Sequence, residues 1–335
     1  MNDPIASREV LVHLLQAYSP MALAFSGGLD SRFVAFTAKQ LHEQGVKVHL
    51  YFFRGPHMSP EELREAEAWA RQQQLPLTVL ELDPLDVPEL RCNDQERCYH
   101  CKLHMFRSLY HFVTKNSPFP GEHVSFCDGS NASDRSGFRP GLRALKELSI
   151  HSPLAEAGLT KEDIQKLAAF AGLDKPFQRA RPCLITRFAY GLEPDARTLA
   201  ALAQAELAIV DLLEAAVRDG KIAPPAPDFR VRLLDGPGPD KGAQEKCSGS
   251  AKERALSDFT VELQVEAVFL PAGLADLLSA AVMEQRFAKT GIELLDKVAG
   301  SYDRLEGLGL TPSRANRSKN QAATPRPARR STRQR

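Results

Sequence analysis

The chain has 335 residues, of which 43% are hydrophobic and 25% charged, and its formal net charge at pH 7 is +1. This is the composition of an ordinary globular protein that is long enough for two domains. No apolar run approaches the roughly 20 residues that a membrane-spanning helix needs, and the N-terminal MNDPIASREV lacks the basic and then apolar layout of a secretory signal. We therefore expect a cytoplasmic protein with no membrane partner.

The charge is distributed unevenly along the chain. Eight Lys or Arg and no acid lie between Arg314 and Arg335, which leaves −7 on the rest of the protein. Because this segment has almost no large apolar side chains, it cannot offset its ordering entropy. The sequence therefore predicts a disordered basic tail at 313–335. Since the remaining chain is acidic, we do not expect a nucleic-acid partner.

Short apolar segments alternate with helical patterns in the first half of the chain, which is typical of a parallel sheet wound with helices. Strands are predicted at 21–25, 46–53, 77–82 and 123–127. A first helical pattern ends at Gly45, a second follows the N-cap Ser59, and a third follows Thr160 and ends at Gly172. Residues 1–190 are therefore assigned to an α/β domain.

The second half has a different character. A long Ala- and Leu-rich helix is predicted at 195–218, and a proline-rich linker follows it. Two strands, FRVRLL at 229–234 and FTVELQVEAVFL at 259–270, are separated by a long polar loop that we expect to be mobile. An amphipathic helix is predicted at 274–285. This order of elements predicts a small α+β domain at 191–312.

The segment SGGLDS, at 26–31, joins the first strand to the first helix. Such a glycine turn presents backbone N–H groups and a helix N-terminus to one point, which is the environment of an anion site. Ser26 and Ser31 add hydroxyl donors, whereas Asp30 would repel phosphate unless it held a cation. The pattern therefore predicts a nucleotide with Mg²⁺, with a plain glycine turn as the alternative. It is neither GxxxxGK[ST] nor GxGxxG, which argues against a Walker NTPase and a dinucleotide site.

SGGLDS after a hydrophobic strand resembles the pyrophosphate loop of the ATP pyrophosphatases, the PP-loop superfamily. The resemblance implies the fold of that superfamily, with ATP cleaved between its α and β phosphates, an oxygen adenylated and AMP displaced by a nucleophile. Arg32 stands where many members have a second serine, and its guanidinium could also face phosphate. The contacts implied for pyrophosphate and Mg²⁺ are Ser26, Gly27, Gly28, Asp30 and Ser31.

Three further stretches resemble the ATP-dependent sacrificial sulfur transferases, the LarE-type family. They are NDQERCYHCK at 93–102, the stretch from DGSNASDRSG onward at 128–164, and RARPCLITRFAYG at 179–191. Members convert the carboxylates of a pyridinium biscarboxylic acid mononucleotide to thiocarboxylates during synthesis of the nickel-pincer cofactor. The resemblance implies an enzyme that adenylates a carboxylate of a small-molecule nucleotide, and we expect it to form a homo-oligomer.

The same resemblance implies further binding residues. Asp128, Asn131 and Asp134 follow the fourth strand and are expected to contact the nucleotide and Mg²⁺, with an ordinary polar loop as the alternative. Arg230 and Arg232 lie on one face of their strand, which suits the phosphate of the substrate, although a solvated strand face would have the same pattern.

Cys183 matches the position of the sacrificial cysteine of the family. In that mechanism its thiolate attacks the adenylated substrate, and elimination then leaves dehydroalanine in the protein. The sequence places three arginines nearby, which should lower the pKa of the thiol and favour the thiolate. These are Arg179, Arg181 and Arg187.

A second sulfur route is also consistent with the cysteines, and we favour it. Cys98-x-x-Cys101 together with Cys183 matches the three thiolates that hold a [4Fe-4S] cluster in some PP-loop enzymes, where the open iron carries a hydrosulfide. A structural CxxC, with or without zinc, is the third interpretation. Other functions also fit the motifs: a PP-loop tRNA thiolase or other RNA modifier, an asparagine-synthetase-like ligase, or a nucleotide-binding protein without activity.

Overall fold

The computed structural model describes residues 4–135, 139–235, 255–266, 270–287 and 289–295. The predicted basic tail and most of the predicted mobile loop lie outside these residues. The helices are α1 (Pro4–Ala17), α2 (Leu29–Gln40), α3 (Pro60–Gln72), α4 (Pro88–Arg91), α5 (Arg97–Lys115), α6 (Pro140–Glu147), α7 (Pro153–Glu156), α8 (Lys161–Phe170), α9 (Ala196–Arg218) and α10 (Ala272–Met283). The strands are β1 (Met21–Ala24), β2 (Val48–Arg54), β3 (Leu77–Glu81), β4 (Ser125–Cys127), β5 (Phe229–Asp235), β6 (Thr260–Glu266) and β7 (Lys289–Leu295).

The first sheet has four parallel strands in the order β3-β2-β1-β4. The predicted α/β class is therefore confirmed. In the central strand β1 the first three side chains are fully buried, as expected when helices cover both faces of a parallel sheet. The crossover connections bring the carboxyl ends of all four strands to one edge, where ligands bind in open α/β folds.

Two apolar clusters fill the two faces of this sheet. One contains residues of α1, α2, α3 and α8, including Phe33 and Trp69, both of which are buried. The other contains Phe106 and Leu109 of α5 and Leu145 of α6. The strand β2 contributes to both clusters, because Phe52 faces the first and Tyr51 the second. Both aromatic side chains are core residues.

Local capping explains where two of the helices begin. Ser59 accepts a hydrogen bond from the backbone N–H of Glu61, and Glu62 completes a capping box at the start of α3. Thr160 and Asp163 form the same arrangement at the start of α8. Such side chains satisfy N–H groups that the first helical turn leaves without intrahelical partners. Both helix starts were predicted from the sequence and are confirmed.

The second sheet is separate and has the order β5-β6-β7. Strands β5 and β6, which correspond to the two predicted strands, are antiparallel, whereas β7 runs parallel to β6 after the crossover helix α10. The sequence analysis did not predict β7. Buried residues of α9, α10 and this sheet form a third apolar cluster, which also includes Leu184 and Phe188. The segment after Cys183 therefore packs against the second sheet.

Within the residues that the structure describes, no helix is both long and apolar enough to cross a membrane.

Candidate active site

The glycine turn lies at the carboxyl edge of the first sheet, between β1 and α2. Gly28 is the N-cap of α2, and no side chain caps this helix. Gly27 has a φ of +70°, and a Cβ there would lie 3.2 Å from Cβ of Ala66 in α3. The turn therefore needs glycine for its backbone conformation and for its close packing on α3. An uncapped helix N-terminus of this kind favours an anion.

Two hydroxyl groups line the turn, as predicted. The Oγ atoms of Ser26 and Ser31 are 3.3 Å apart, and Ser31 Oγ donates a hydrogen bond to the backbone oxygen of Gly28 at 3.1 Å. The backbone N–H of Gly28 donates to Ser26 Oγ at 3.4 Å. The predicted residues of the turn thus form one cluster of polar groups around the start of α2.

The loop after β4 packs directly on this turn. A Cβ at Gly129 would lie only 2.9 Å from the backbone nitrogen of Ser31, so only glycine allows the two segments to approach this closely. Asp30 contacts two groups here: its Oδ1 accepts a hydrogen bond from Lys161 Nζ at 2.8 Å, and its Oδ2 accepts one from Asn131 Nδ2 at 3.2 Å. The structure therefore brings Asp30 and Asn131 together, and it adds Lys161, which the sequence analysis missed.

Asp128 and Asp134 are held by cationic side chains. Lys102 Nζ lies 3.1 Å from Oδ2 of Asp128, whose carboxylate also accepts hydrogen bonds from Ser130 and Ser152. Burial opposes ionisation of Asp128, but Lys102 and the two hydroxyls outweigh it and lower the pKa of this carboxyl. Asp134 is more exposed, and its Oδ1 lies 2.9 Å from Arg139. The carboxylate of Asp128 is thus part of a buried polar cluster beneath the turn.

The three predicted cysteines also lie close to one another. Cys98 and Cys101 are in the first turns of α5, and Cys183 precedes the short 3₁₀ turn Leu184–Arg187. Burial is the main cause that raises the pKa of Cys101, and the charges of Cys183 and Cys98 raise it further. Their mutual influence shows that the structure brings the three thiols into one region, which we call the thiol triad. All three are free thiols.

The thiol triad provides the donors that an iron–sulfur cluster uses, since three thiolates are the ligands of such clusters. No group of three His, Cys, Asp or Glu in the described part of the chain is arranged to hold a single metal ion. The cluster on Cys98, Cys101 and Cys183 stays a prediction, and we derive no reaction step through it.

The predicted low pKa of Cys183 is wrong. Burial raises the pKa of this thiol to about 11, although Arg97 and Arg187 act in the opposite direction. Arg187 thus acts as predicted, but burial outweighs it. Each of the three predicted arginines is paired with a carboxylate: Arg179 with Asp228, Arg181 with Glu65, and Arg187 with Glu206. The negative charge of such a carboxylate offsets part of the stabilisation that the guanidinium gives to a nearby thiolate.

This pKa predicts the reactivity of Cys183. Because alkylation requires the thiolate, we expect iodoacetamide to modify Cys183 slowly at neutral pH, with a rate that becomes half-maximal only near pH 11. Mass spectrometry of the peptide that contains Cys183, after timed reactions over this pH range, measures the rate. A half-maximal rate at or below the pKa of an unperturbed cysteine would contradict the expectation.

A buried asparagine joins the two segments that carry the thiols. Asn93 is fully buried, and its Nδ2 donates hydrogen bonds to the backbone oxygens of Ala189 and Leu192 at 2.8 and 3.0 Å. Its Oδ1 accepts a hydrogen bond from Arg97 Nη1 at 2.6 Å. Asn93 therefore fixes the start of α5 against the segment after Cys183. It opens the NDQERCYHCK stretch, but nothing local marks it as a link between segments.

The carboxyl group of Glu62, in the first turn of α3, titrates close to neutral pH. Burial raises the pKa of Glu62 to about 7, and Glu206 contributes in the same direction, while Arg181 and Arg187 oppose it. The backbone of this region also contacts the cysteine segment, because Leu184 N–H donates a hydrogen bond to the oxygen of His57 at 2.9 Å. Glu62 also completes the capping box at the start of α3.

The remaining predicted arginines are all buried. Arg232 is fully buried, and it donates hydrogen bonds to the backbone oxygen of Thr186 at 2.9 Å and to Gln264 Oε1 at 3.2 Å. Arg230 is 5% exposed, and burial lowers its pKa to about 10. Their strand face is therefore not a solvated surface. Their role in binding the phosphate of the substrate stays a prediction.

Arg32 does not face the glycine turn. Its guanidinium is 3% exposed and contacts Asp174, the backbone oxygen of Lys175 and Oε1 of Gln178. The expectation that it could face phosphate is therefore wrong. The residue instead fastens the segment before Cys183 to α2.

A cleft of about 340 Å³ opens at the same sheet edge, between the end of β2 and the start of α3. Its lining includes the apolar side chains of Phe52, Met58 and Leu63 together with Arg54 and Arg64. Clefts with apolar walls and a few charged groups are the usual shape of small-molecule sites.

Known proteins were compared with the chain. No protein-family model matches it. An uncharacterized protein of Synechocystis is 32% identical over 189 residues, which are 55% of this chain and 66% of that protein. An uncharacterized protein of Methanocaldococcus jannaschii is 29% identical over 196 residues, 58% of this chain and 71% of that one.

A third relative has a named activity. The pyridinium-3,5-bisthiocarboxylic acid mononucleotide synthase of Lactiplantibacillus plantarum is 27% identical over 184 residues, which are 55% of this chain and 64% of the synthase. The matches thus span about two thirds of each relative and little more than half of this chain. The parallel sheet and its glycine turn define an α/β protein with a glycine turn at the carboxyl edge of the sheet. Within that class, these relatives confirm the resemblance to the LarE-type family.

Proposed function

We propose that this protein is an ATP-dependent sulfur transferase that adenylates a carboxylate and converts it to a thiocarboxylate. The observation that carries the proposal is the position of Lys102. Its Nζ pairs with Asp128 beside the glycine turn, and its charge lowers the pKa of Cys101 against the effect of burial. The side chain of Lys102 therefore connects the carboxyl edge of the first sheet, where we place the nucleotide, with the thiol triad. An activated carboxylate held at the turn would lie within reach of sulfur.

The proposed substrate is pyridinium-3,5-biscarboxylic acid mononucleotide, the dicarboxylate that corresponds to the product named for the Lactiplantibacillus relative. A carboxylate is a poor electrophile because oxide would have to leave. In the first step its oxygen attacks the α phosphorus of ATP, and pyrophosphate leaves. The mixed anhydride that results has AMP as a good leaving group. The backbone N–H groups around Gly28 and the hydroxyls of Ser26 and Ser31 would bind the departing pyrophosphate.

In the second step sulfur replaces AMP. The most direct route uses only atoms of this chain: Cys183 loses its proton, its sulfur attacks the acyl carbon, and AMP leaves. Removal of the Cα proton then breaks the Cβ–S bond, so that the product keeps the sulfur and the protein keeps dehydroalanine. A cluster on the thiol triad would instead carry external sulfide and leave Cys183 intact. The approach of the three thiols to one another supports that route.

Mg²⁺ would neutralise charge on the phosphates of ATP. Asp30 is the carboxylate best suited to hold it, because it lies at the turn and remains 24% exposed. Its present partner Lys161 is also partly exposed, so it can move away from Asp30 towards phosphate. Asp128, in contrast, is saturated by Lys102 and two hydroxyls and is buried. We therefore propose Asp30, with Asn131 beside it, as the Mg²⁺ site.

The test uses anaerobically purified protein, ATP, Mg²⁺ and the dicarboxylate nucleotide. We expect pyrophosphate release that depends on the nucleotide and a product in which sulfur replaces oxygen. The intact mass of the protein identifies the route, since loss of H₂S at Cys183 marks the direct one, and unchanged mass with bound iron and sulfide marks the cluster. Sulfur transfer to tRNA, but not to the nucleotide, would contradict the proposal and favour an RNA thiolase.

A further inference from the structure

Arg97 is a buried cation that pairs with no carboxylate of the described residues. It is the first residue of α5 and is 2% exposed. Its Nη1 donates a hydrogen bond to Asn93 Oδ1, and its guanidinium lies 4.7 Å from the ring centroid of Tyr190. Its Nε and Nη2 have no hydrogen-bond partner, and it forms no ion pair with any residue for which the structure describes a side chain. A charged group is thus buried with two donors unused.

Such an arrangement is costly unless something completes it. A buried charge needs a partner, and each buried donor without an acceptor costs free energy. Two other arginines buried to a similar extent have carboxylates: Arg32 lies 3.0 Å from Asp174, and Arg187 is paired with Glu206. Arg97 differs from these two among the described residues. The difference leaves the edge with Nε and Nη2 available to an anion.

The two unused donors point to the kind of anion. Nε and Nη2 lie on the same edge of a guanidinium, and their two N–H groups are parallel. This edge matches the two oxygens of a carboxylate, which accepts both hydrogen bonds at once. Nη1 is held by Asn93 and the face of the group by Tyr190, so the edge is fixed in orientation. A single sulfide or halide ion would use the edge less completely.

The free edge belongs to the region of the thiol triad. Arg97 precedes Cys98 directly, and its charge acts on Cys183, where it opposes the effect of burial. Asn93 ties it to the segment of Ala189 and Leu192 that follows this cysteine. A carboxylate on Arg97 would therefore lie near the sulfur atoms and not at the glycine turn.

We infer that Arg97 binds a free carboxylate of the substrate, side-on through Nε and Nη2, while the other carboxylate is adenylated. The inference rests on the proposed function, because it assigns the second acid group of that dicarboxylate substrate. An adenylated carboxyl no longer has two free oxygens. The parallel N–H groups on Nε and Nη2 of Arg97 therefore select the carboxylate that is not reacting. Arg97 would in this way determine specificity for a dicarboxylate.

Binding of two nucleotides without ATP tests the inference. Pyridinium-3,5-biscarboxylic acid mononucleotide has two carboxylates, and nicotinamide mononucleotide has none, while both have the ring and the phosphate. Calorimetry should show that the wild-type protein prefers the dicarboxylate. In Arg97→Gln we expect that preference to fall about 10- to 100-fold, the usual effect of losing a charged hydrogen-bonded pair. Arg97→Lys, which keeps the positive charge but not the two parallel N–H groups, should also lose most of the preference for the dicarboxylate.

Arg143→Gln is the matched control, since Arg143 also lies over a tyrosine ring, at 3.8 Å from Tyr99, but is exposed and paired with Glu96. We expect this variant to keep the wild-type preference. An unchanged preference in both Arg97 variants, or none in the wild-type protein, would overturn the inference. Pyrophosphate release from ATP by the wild-type protein, measured in parallel, reports on the proposed function separately. Circular dichroism of each variant shows whether it has folded.

Discussion

Replacement of Cys183 by serine is expected to abolish thiocarboxylate formation and to leave adenylation intact. Serine keeps the size of the side chain, but it has no sulfur to donate and cannot ligate iron as a thiolate does. The residue precedes the 3₁₀ turn Leu184–Arg187 and is not one of the residues of the glycine turn. Pyrophosphate release in the presence of the dicarboxylate nucleotide should therefore continue for at least one turnover, while mass spectrometry detects no sulfur in the nucleotide.

Cys127→Ala is the control for this experiment. Cys127 is fully buried in β4, and it is a free thiol outside the thiol triad. Its removal should lower stability to the extent expected for a small cavity, but sulfur transfer should persist. If Cys183→Ser still forms the thiocarboxylate at the wild-type rate, the sulfur does not pass through this residue.

Substitution of Gly129 by alanine is expected to weaken ATP binding by roughly 10- to 100-fold, since small displacements of binding groups have effects of this size. The added Cβ would lie 2.9 Å from the nitrogen and 3.1 Å from the Cα of Ser31. Both are backbone atoms, which cannot rotate away as a side chain can. The loop after β4 and the start of α2 must therefore separate, and the groups around the glycine turn lose their arrangement. Equilibrium binding of a non-hydrolysable ATP analogue measures the loss.

The comparison for Gly129→Ala is Gly273→Ala. Gly273 lies in α10, and a Cβ there would meet nothing within 4 Å, so alanine should leave ATP affinity unchanged. Thermal unfolding of both variants separates a local effect at the turn from general destabilisation. Wild-type affinity in Gly129→Ala would show that the nucleotide does not bind between these two segments.

Much of the first domain could be predicted because its signals are local. A buried strand, a glycine turn and the next helix follow one another within residues 21–40, and parallel strands place their carboxyl ends together. Asp30 and Asn131 could thus be assigned to one site, although they are far apart along the chain. The capping boxes at Ser59 and Thr160 are recognisable for the same reason. The strand β7 was missed because KTGIELL has too little alternation to indicate a strand by itself.

The electrostatics of the site could not be predicted in this way. The stretch around Cys183 is rich in arginine, which suggested a reactive thiolate. In the folded protein Arg187 pairs with Glu206 of α9 and Arg181 with Glu65 of α3, and burial then dominates the pKa of the thiol. Similarly, the arginine after SGGLDS turns away from the expected phosphate, because Asp174 lies beneath α2.

The sequence alone thus determined the class of fold, the position of the glycine turn and the cysteines that come together. These depend on residue order, glycine conformation and the geometry common to parallel sheets. Only the tertiary structure decided which arginines pair with carboxylates and that Arg97 has no carboxylate partner among the described residues. A guanidinium finds its carboxylate across packed helices, as Arg32 and Asp174 do from positions 142 residues apart. Such pairings between residues far apart in the chain cannot be predicted from local sequence. The unpartnered Nε and Nη2 of Arg97 could therefore be identified only in the folded chain.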